Sequence, residues 1–275
     1  MALIIRGNSA AENARTNVNR TTRGLQHSFA KISSGLRITK AADDAAGMAM
    51  AENLDSESRS LRQAQRNTHD GISVIQTAEG ATNEVGDIIK RMRELAVQSS
   101  SETLANAERA YIQDEFSELS QEVDRIANVT EFNGIALGNA AGTMNVQVGA
   151  HNTGNDQIAI SIGDLKATSL KVDGGNISMS TAASAQAALS TLDTAMSSVN
   201  QIRSNYGSVQ NRLESALNNL ETYNENISSA ESNIRDADFA HETAELSKFQ
   251  IMQQAGVAIL GQASAMNSGA LRLIG

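Results

Sequence analysis

Apolar positions recur through most of this chain at alternating steps of three and four, the spacing that keeps side chains on one face of an α-helix. Between residues 11 and 36 the series is Ala11, Val18, Thr22, Leu25, Phe29, Ile32 and Leu36, with Arg, Asn and Thr between them, which predicts one amphipathic helix. Gly35 and the stretch 37–40 break the pattern, and Asp43 or Asp44 then offers a side-chain oxygen to cap the next helix.

That helix is predicted over 44–99, with a seam through Ile72, Ile75, Thr82, Val85, Ile89, Met92 and Ala96. At about 1.5 Å per residue it would run for about 80 Å, longer than most single globular domains are wide, so it must pack against other helices. A third helix is predicted over 105–128, where Ile112, Phe116, Leu119, Val123 and Ile126 repeat the spacing; Gly134 and Gly138 end it, and the chain doubles back.

The period changes to two in 143–180. Residues 144–148 and 157–162 alternate apolar with polar around a Gly/Asn/Asp loop, which predicts a small β-hairpin. Leu170-Lys171-Val172 and Ile177-Ser178-Met179 read as two further short strands around Gly174-Gly175, and nothing else in the chain reads as β.

Helical spacing then returns without a miss through Leu192, Ala195, Val199, Ile202, Tyr206, Val209, Leu213, Ala216, Leu220, Tyr223, Ile227, Ala230 and Ile234. A seam this long has no partner within itself, so the two halves of the chain must pair. From 237 to 275 the apolar residues Phe239, Leu246, Phe249, Ile251, Met252, Val257, Ile259, Leu260, Met266, Leu271, Leu273 and Ile274 surround the helical wheel. Such a helix has no obvious solvent face and predicts an association surface. The predicted fold class is therefore mainly α: a long antiparallel coiled-coil or helical-bundle rod formed by both chain ends, with a small β-hairpin region.

Composition reinforces the rod. The sequence has no Pro, Cys or Trp and only 3% aromatic residues, whereas compact cores lean on large apolar side chains and Pro-free, Ala-rich sequence suits uninterrupted helices. Without Cys, disulfides, thiolate metal sites and Cys nucleophiles are excluded. A net charge of -9, with the 22 basic residues interspersed among acids, argues against a nucleic-acid partner. No window approaches the roughly 20 apolar residues of a membrane span. The early apolar run, residues 2–5, ends at Arg6 and is too short for a Sec-type signal peptide.

Candidate chemistry is sparse. His241-Glu242-Thr243-Ala244-Glu245 holds half of a zinc-protease motif, but Glu245 stands where the second His is needed, and His27, His69 and His151 lie on other segments. A surface role for His241 is the simpler reading. Asp43 and Asp44 read as helix capping rather than as an acid/base pair. The stretch 134–138 lacks the strand and helix context of a phosphate loop, and the sequons at Asn19, Asn128, Asn176 and Asn226 fit chance in Asn- and Ser-rich sequence. No catalytic residue, cofactor or metal ligand is predicted, and the chain is expected not to be an enzyme.

Residues Ile32-Ser33-Ser34-Gly35-Leu36-Arg37-Ile38 followed by Asp43-Asp44-Ala45-Ala46-Gly47 resemble the N-terminal signature of bacterial flagellins. Three further blocks agree in the same order: Arg93 to Ser99, Glu131-Phe132-Asn133-Gly134, and Asp236-Ala237-Asp238-Phe239-Ala240 with Gln253-Gln254-Ala255-Gly256. The resemblance implies an extracellular filament subunit for swimming motility that polymerises with copies of itself or paralogues. It also implies export, unfolded, through the flagellar type III apparatus, with a chaperone holding the C-terminal segment and with filament cap and hook-junction proteins as further partners. Polymer contacts are then expected from the terminal helices, at Leu25, Phe29, Ile32, Leu36, Phe249, Ile251, Leu260, Leu271 and Leu273. Carried over by motif, Arg91, Leu95 and Glu115 are implied as the surface read by the Toll-like flagellin receptor of animals, beside a primary role in protofilament packing.

The same resemblance divides the chain. It assigns 1–42 and 236–275 to an inner, channel-lining terminal domain, 43–140 and 182–235 to the helices of a middle domain, and 141–181 to a short β-hairpin region in place of a variable outer domain. A hook–filament junction protein and a coiled-coil adaptor or secreted effector are the alternatives; pelleting polymer, rather than a small defined oligomer, separates the filament subunit from both.

Overall fold

The computed structural model describes residues 8–272, with side chains as far as residue 265. Within them lie the helices α1 (Ser9–Ser34), α2 (Ala45–Ser99), α3 (Asn106–Val129), α4 (Ala182–Arg235) and α5 (Phe239–Arg272). Two antiparallel hairpins separate α3 from α4: β1 (Glu131–Phe132) with β2 (Ile135–Ala136), and β3 (Gly142–Gln147) with β4 (Gln157–Ile162). The chain forms two compact units, one from both ends, up to residue 58 and from residue 225 onward, the other from residues 59–224.

In the terminal unit α1 and α5 pack antiparallel. Asn8 starts α1 by accepting the Ala11 N–H at 3.0 Å, and Gly35 stops it in the left-handed conformation, φ 72°, its N–H returning to the Lys31 carbonyl at 2.8 Å. The side chains of α1 that are buried most deeply are small ones, Ala14, Thr21 and Ser28, seven residues apart. The seam thus includes half-buried Val18, Thr22 and Leu25 as expected, with Thr21 and Ser28 buried beside them, but not Phe29, which is 63% exposed. Small residues win this face because they let the helix axes approach: a Cβ on Gly24 would sit 2.7 Å from the Phe249 ring, and one on Gly256 2.7 Å from Val18.

The other unit has two cores. In one, Val85, Ile89, Met92 and Leu95 of α2, Ile112, Phe116 and Val123 of α3, and Leu192, Ala195 and Val199 of α4 pack together. In the other, Val74, Ile75 and Ala78 of α2 meet Tyr206, Val209 and Leu213 of α4 beneath Val146, Ile158, Ile160 and Ile162 of the larger hairpin. The alternation along β4 buries Ile158, Ile160 and Ile162 and exposes their neighbours, as the two-residue period requires.

Three departures from the sequence reading have physical causes. Neither 170–172 nor 177–179 is a strand: the first closes a turn, with Val172 N–H bonded back to Ala167 and Lys171 left-handed at φ 59°, and the second is irregular chain leaving a turn in which Asn176 and Ile177 both bond back to Asp173. Leu170, Val172, Ile177 and Met179 are nonetheless buried, so their apolar character serves to plug the three-helix core. The pair β1–β2 was not expected; it forms because Asn133-Gly134, at φ 51° and 78°, makes the mirror-image turn that closes a hairpin. On α4, Tyr223 is 43% exposed and Ala230 is exposed, so burial along the seam thins after Leu220 although the spacing persists.

The C-terminal end of α2 depends on α3. Arg109, 6% exposed, donates to the Ser99 carbonyl at 3.0 Å and the Ser101 carbonyl at 2.6 Å, supplying partners for acceptors that a helix end leaves open.

Candidate functional site

The N- and C-terminal signature segments meet in the terminal unit. Leu36 pairs with Asp236 as an isolated antiparallel bridge, Arg37 N–H donates to the Arg235 carbonyl at 2.7 Å, and Ala237 N–H donates to the Gly35 carbonyl at 2.9 Å. The Arg37 guanidinium adds two bonds to the Ile234 carbonyl, at 2.5 and 3.2 Å. Gly35 frees the backbone from α1 and Asp236-Ala237 frees it from α4, so each segment offers the other its unpaired main-chain groups. Asp238 then starts α5 by accepting the Ala240 and His241 N–H groups at 2.9 and 3.2 Å.

The two aspartates before α2 divide their work. Asp44 is the cap, accepting the Gly47 N–H at 2.9 Å. Asp43 ties the preceding turn, accepting from Thr39 N–H at 3.1 Å, the Thr39 hydroxyl at 2.9 Å and Lys40 N–H at 3.0 Å, and it faces His27 of α1 at 3.1 Å. The His27 contact, followed by the Thr39 hydroxyl, holds the Asp43 carboxyl well below the ordinary carboxylate range. A Cβ on Gly47 would press on the Asp44 carboxylate and on the Ile38 Cδ1 at 2.8 Å, so a larger residue there would displace the cap.

Along α1 and α5 the contacts are specific as well as apolar. Lys31 and Glu242 form an ion pair at 3.0 Å, with side chains 18% and 10% exposed. The Asn8 amide reaches the Ala263 carbonyl at 2.9 Å. Of the expected polymer-contact residues, Leu25, Ile32, Leu36, Phe249 and Leu260 are half-buried in this unit, while Phe29 and Ile251 are exposed. Leu271 and Leu273 lie outside the described side chains. Ile251 is 67% exposed, Val257 56%, Ile259 59% and Phe239 63%, so much of the apolar surface of α5 has no cover within the monomer.

In the other unit Arg91 and Glu115 are brought together as an exposed ion pair, at 2.8 and 3.1 Å, and Arg91 also reaches Glu94 at 3.1 Å. Leu95 is not beside them on the surface: at 1% exposure it is in the core with Ile112 and Phe116. Val97 is the exposed apolar residue of that block, at 50%.

His241 is exposed, and among the described residues no cluster of three His, Asp or Glu side chains could hold a metal ion. No described helix is long and apolar enough to cross a membrane. Sequence reasoning missed the Lys31–Glu242 pair and the Arg109 cap. Neither carried a distinct signal, since Glu242 is one of several polar residues in the first turns of α5, beside His241, Glu245 and Lys248.

Comparison with known proteins covers nearly all of this. Residues 5–143 match the family described as bacterial flagellin N-terminal helical region, and residues 189–274 match the bacterial flagellin C-terminal helical region. The chain is 41% identical over 273 residues to a flagellin of Halalkalibacterium halodurans, covering 99% of this chain and 100% of that one. It is 39% identical over 286 residues to a flagellar filament core protein of Brachyspira hyodysenteriae, with 99% and 100% covered. Among solved structures, a protein from Vibrio parahaemolyticus described as a flagellar hook-associated protein shares the fold, with a TM-score of 0.58 at 15% identity over 70% of this chain and 100% of that one. With both signature segments joined in one unit and end-to-end similarity to filament proteins, the chain belongs to the bacterial flagellins, structural subunits of the extracellular flagellar filament rather than enzymes.

Proposed function

We propose that this flagellin polymerises through the apolar side chains of α5 that α1 leaves uncovered, together with Phe29 of α1, and that copies of the same protein cover them in the filament. The observation that carries the reading is the exposure of Ile251, Val257 and Ile259 on a helix whose other contacts to α1 are already made. Burying three such side chains contributes about 1.5–3 kcal/mol each when they are fully covered, enough to drive association of an otherwise folded unit. Deleting 240–275 should leave a soluble protein that neither pellets nor seeds; filaments of normal appearance by electron microscopy would overturn the reading.

Before assembly the same surface needs cover, and an export chaperone that holds the C-terminal segment, with passage of the unfolded polypeptide through the type III apparatus and growth beneath a cap on a hook-junction base, fits that need. Co-purification of a chaperone with the full-length protein, lost on deleting 240–275, tests it.

Recognition by the Toll-like flagellin receptor is read onto Arg91 and Glu115, the exposed pair, with Leu95 acting from beneath by holding α2 against α3. R91A and E115A should each lower receptor activation by monomer without changing thermal unfolding. Unchanged activation by both variants would remove this assignment.

A further inference from the structure

Asn133 and Gly134 are the sole Asn-Gly pair in the sequence, and they form the two central residues of the β1–β2 turn. Both are exposed, and among the described residues the Asn133 amide makes no hydrogen bond. A Cβ built on Gly134 would meet nothing within 4 Å, so the outer side of the turn is open to water.

We infer that Asn133 is a site of spontaneous deamidation. The backbone nitrogen of Gly134 attacks Cγ of Asn133; a C–N bond forms within a five-membered imide, the bond between Cγ and Nδ2 breaks, and the amide leaves as ammonia carrying the proton lost from the Gly134 nitrogen. Water then opens the imide at either carbonyl and gives aspartate or isoaspartate. Water is the one co-reactant, and nothing is oxidised or reduced.

Glycine at 134 is what makes the attack accessible, because no side chain shields its nitrogen. The left-handed turn must open for the nitrogen to reach Cγ, and the ladder opposing that opening is short: the pairs Glu131↔Ala136 and Phe132↔Ile135, with one bond beyond them from Leu137 N–H to the Thr130 carbonyl at 2.9 Å. So short a hairpin opens locally at little cost. Asparagines within the long helices have no such freedom, and Asn67 of α2 is further held by its bond to the Gln147 carbonyl.

The product has a structural consequence. Asn133 and Asp70 line the same groove, so aspartate at 133 adds a second negative charge there. Isoaspartate inserts an extra main-chain atom, which breaks the pairing of Phe132 with Ile135 and loosens Phe132 from the core beneath the larger hairpin.

Hydroxylamine, which cleaves the imide formed at Asn-Gly, tests this on the full-length folded protein, with a guanidinium-unfolded sample as control and helicity followed by circular dichroism. The folded protein should yield fragments 1–133 and 134–275 at a rate within about tenfold of the control, equivalent to about 1.4 kcal/mol of protection. Slower cleavage than that overturns the proposal, because the turn then shields its own amide. N133Q should yield neither fragment in either sample. Peptide mapping after incubation in plain alkaline buffer should place the acid first at residue 133, ahead of Asn152 and Asn155; deamidation at those residues first would equally overturn it.

Discussion

The Lys31 ammonium lies 3.0 Å from the Glu242 carboxylate between α1 and α5, and neither side chain is more than one-fifth exposed. Because both side chains are largely buried, this pair selects one sliding position of α1 along α5: a shift by one turn would leave two charges unpaired at the helix interface. K31M should therefore cost on the order of 3 kcal/mol, since it strands a carboxylate. The double variant K31M/E242L should recover most of that loss. Thermal unfolding of the terminal helices is the measurement, and equal destabilisation by the single and double variants would mean that the pair contributes nothing as a pair.

Arg109 supports a second prediction. Its guanidinium satisfies the Ser99 and Ser101 carbonyls and the Asn106 side chain at 3.2 Å from a buried position. R109M keeps the aliphatic bulk and removes every donor, so the open end of α2 should lose about 1–3 kcal/mol per unsatisfied acceptor. Guanidinium denaturation should show a lower midpoint with an unchanged slope; an unchanged midpoint would show that water replaces the arginine.

The seam of α4 distinguishes spacing from burial. Leu213 is fully buried among Val74, Val146 and Tyr206, and L213D should destabilise this unit by about 3–5 kcal/mol as an unpaired charge in a core. A230Q, at a position with the same spacing but exposed, should change stability by no more than about 0.5 kcal/mol. Comparable losses in the two melting profiles would contradict this distribution of burial.

That contrast also shows what the sequence could carry. Periodicity predicted α2, α3 and α4 because a rod needs an uninterrupted stripe, and it predicted β4 because Ile158, Ile160 and Ile162 alternate. It misplaced Phe29 because hydrophobicity alone ranks Phe above Thr and Ser, whereas a close helix approach at Gly24 and Gly256 favours small side chains. The joining of Gly35–Arg37 to Ile234–Ala237 has no local signature, since main-chain bonds between segments about 200 residues apart depend only on where both helices stop. Leu170, Val172, Ile177 and Met179 looked like strands because burial, not β-structure, demands their apolar character.

Asp43 gives a pH dependence with a defined sign. Its folded carboxyl titrates below the ordinary value of 3.8, so its contribution is complete above that pH and is lost as the pH falls further toward the folded value. The turn 39–43 should therefore loosen only in strong acid, as the pH falls toward the folded value of Asp43. Carbon-detected NMR of the Asp43 carboxyl should show a titration well under the usual carboxylate range, moving upward in H27A. A titration near 4 in the unmodified protein would mean that the His27 and Thr39 bonds are not held in solution.

The uncovered apolar side chains of α5 separate assembly from folding. Ile251, Val257 and Ile259 are all more than half exposed, so the triple variant I251S/V257S/I259S removes little that the lone monomer buries. Its thermal unfolding as a monomer should shift by no more than about 1.5 kcal/mol in stability, the scale of ordinary surface changes summed over three sites. Polymerisation should respond very differently, because each side chain loses the full transfer energy that a neighbouring copy would supply, and the effect repeats at every subunit added. Seeded growth followed by pelleting should fall below detection at concentrations where the unmodified protein polymerises completely. If the variant polymerises normally, these side chains of α5 are not the ones that copies cover. If instead it unfolds as a monomer, these residues belong to a core that the folded subunit completes by itself.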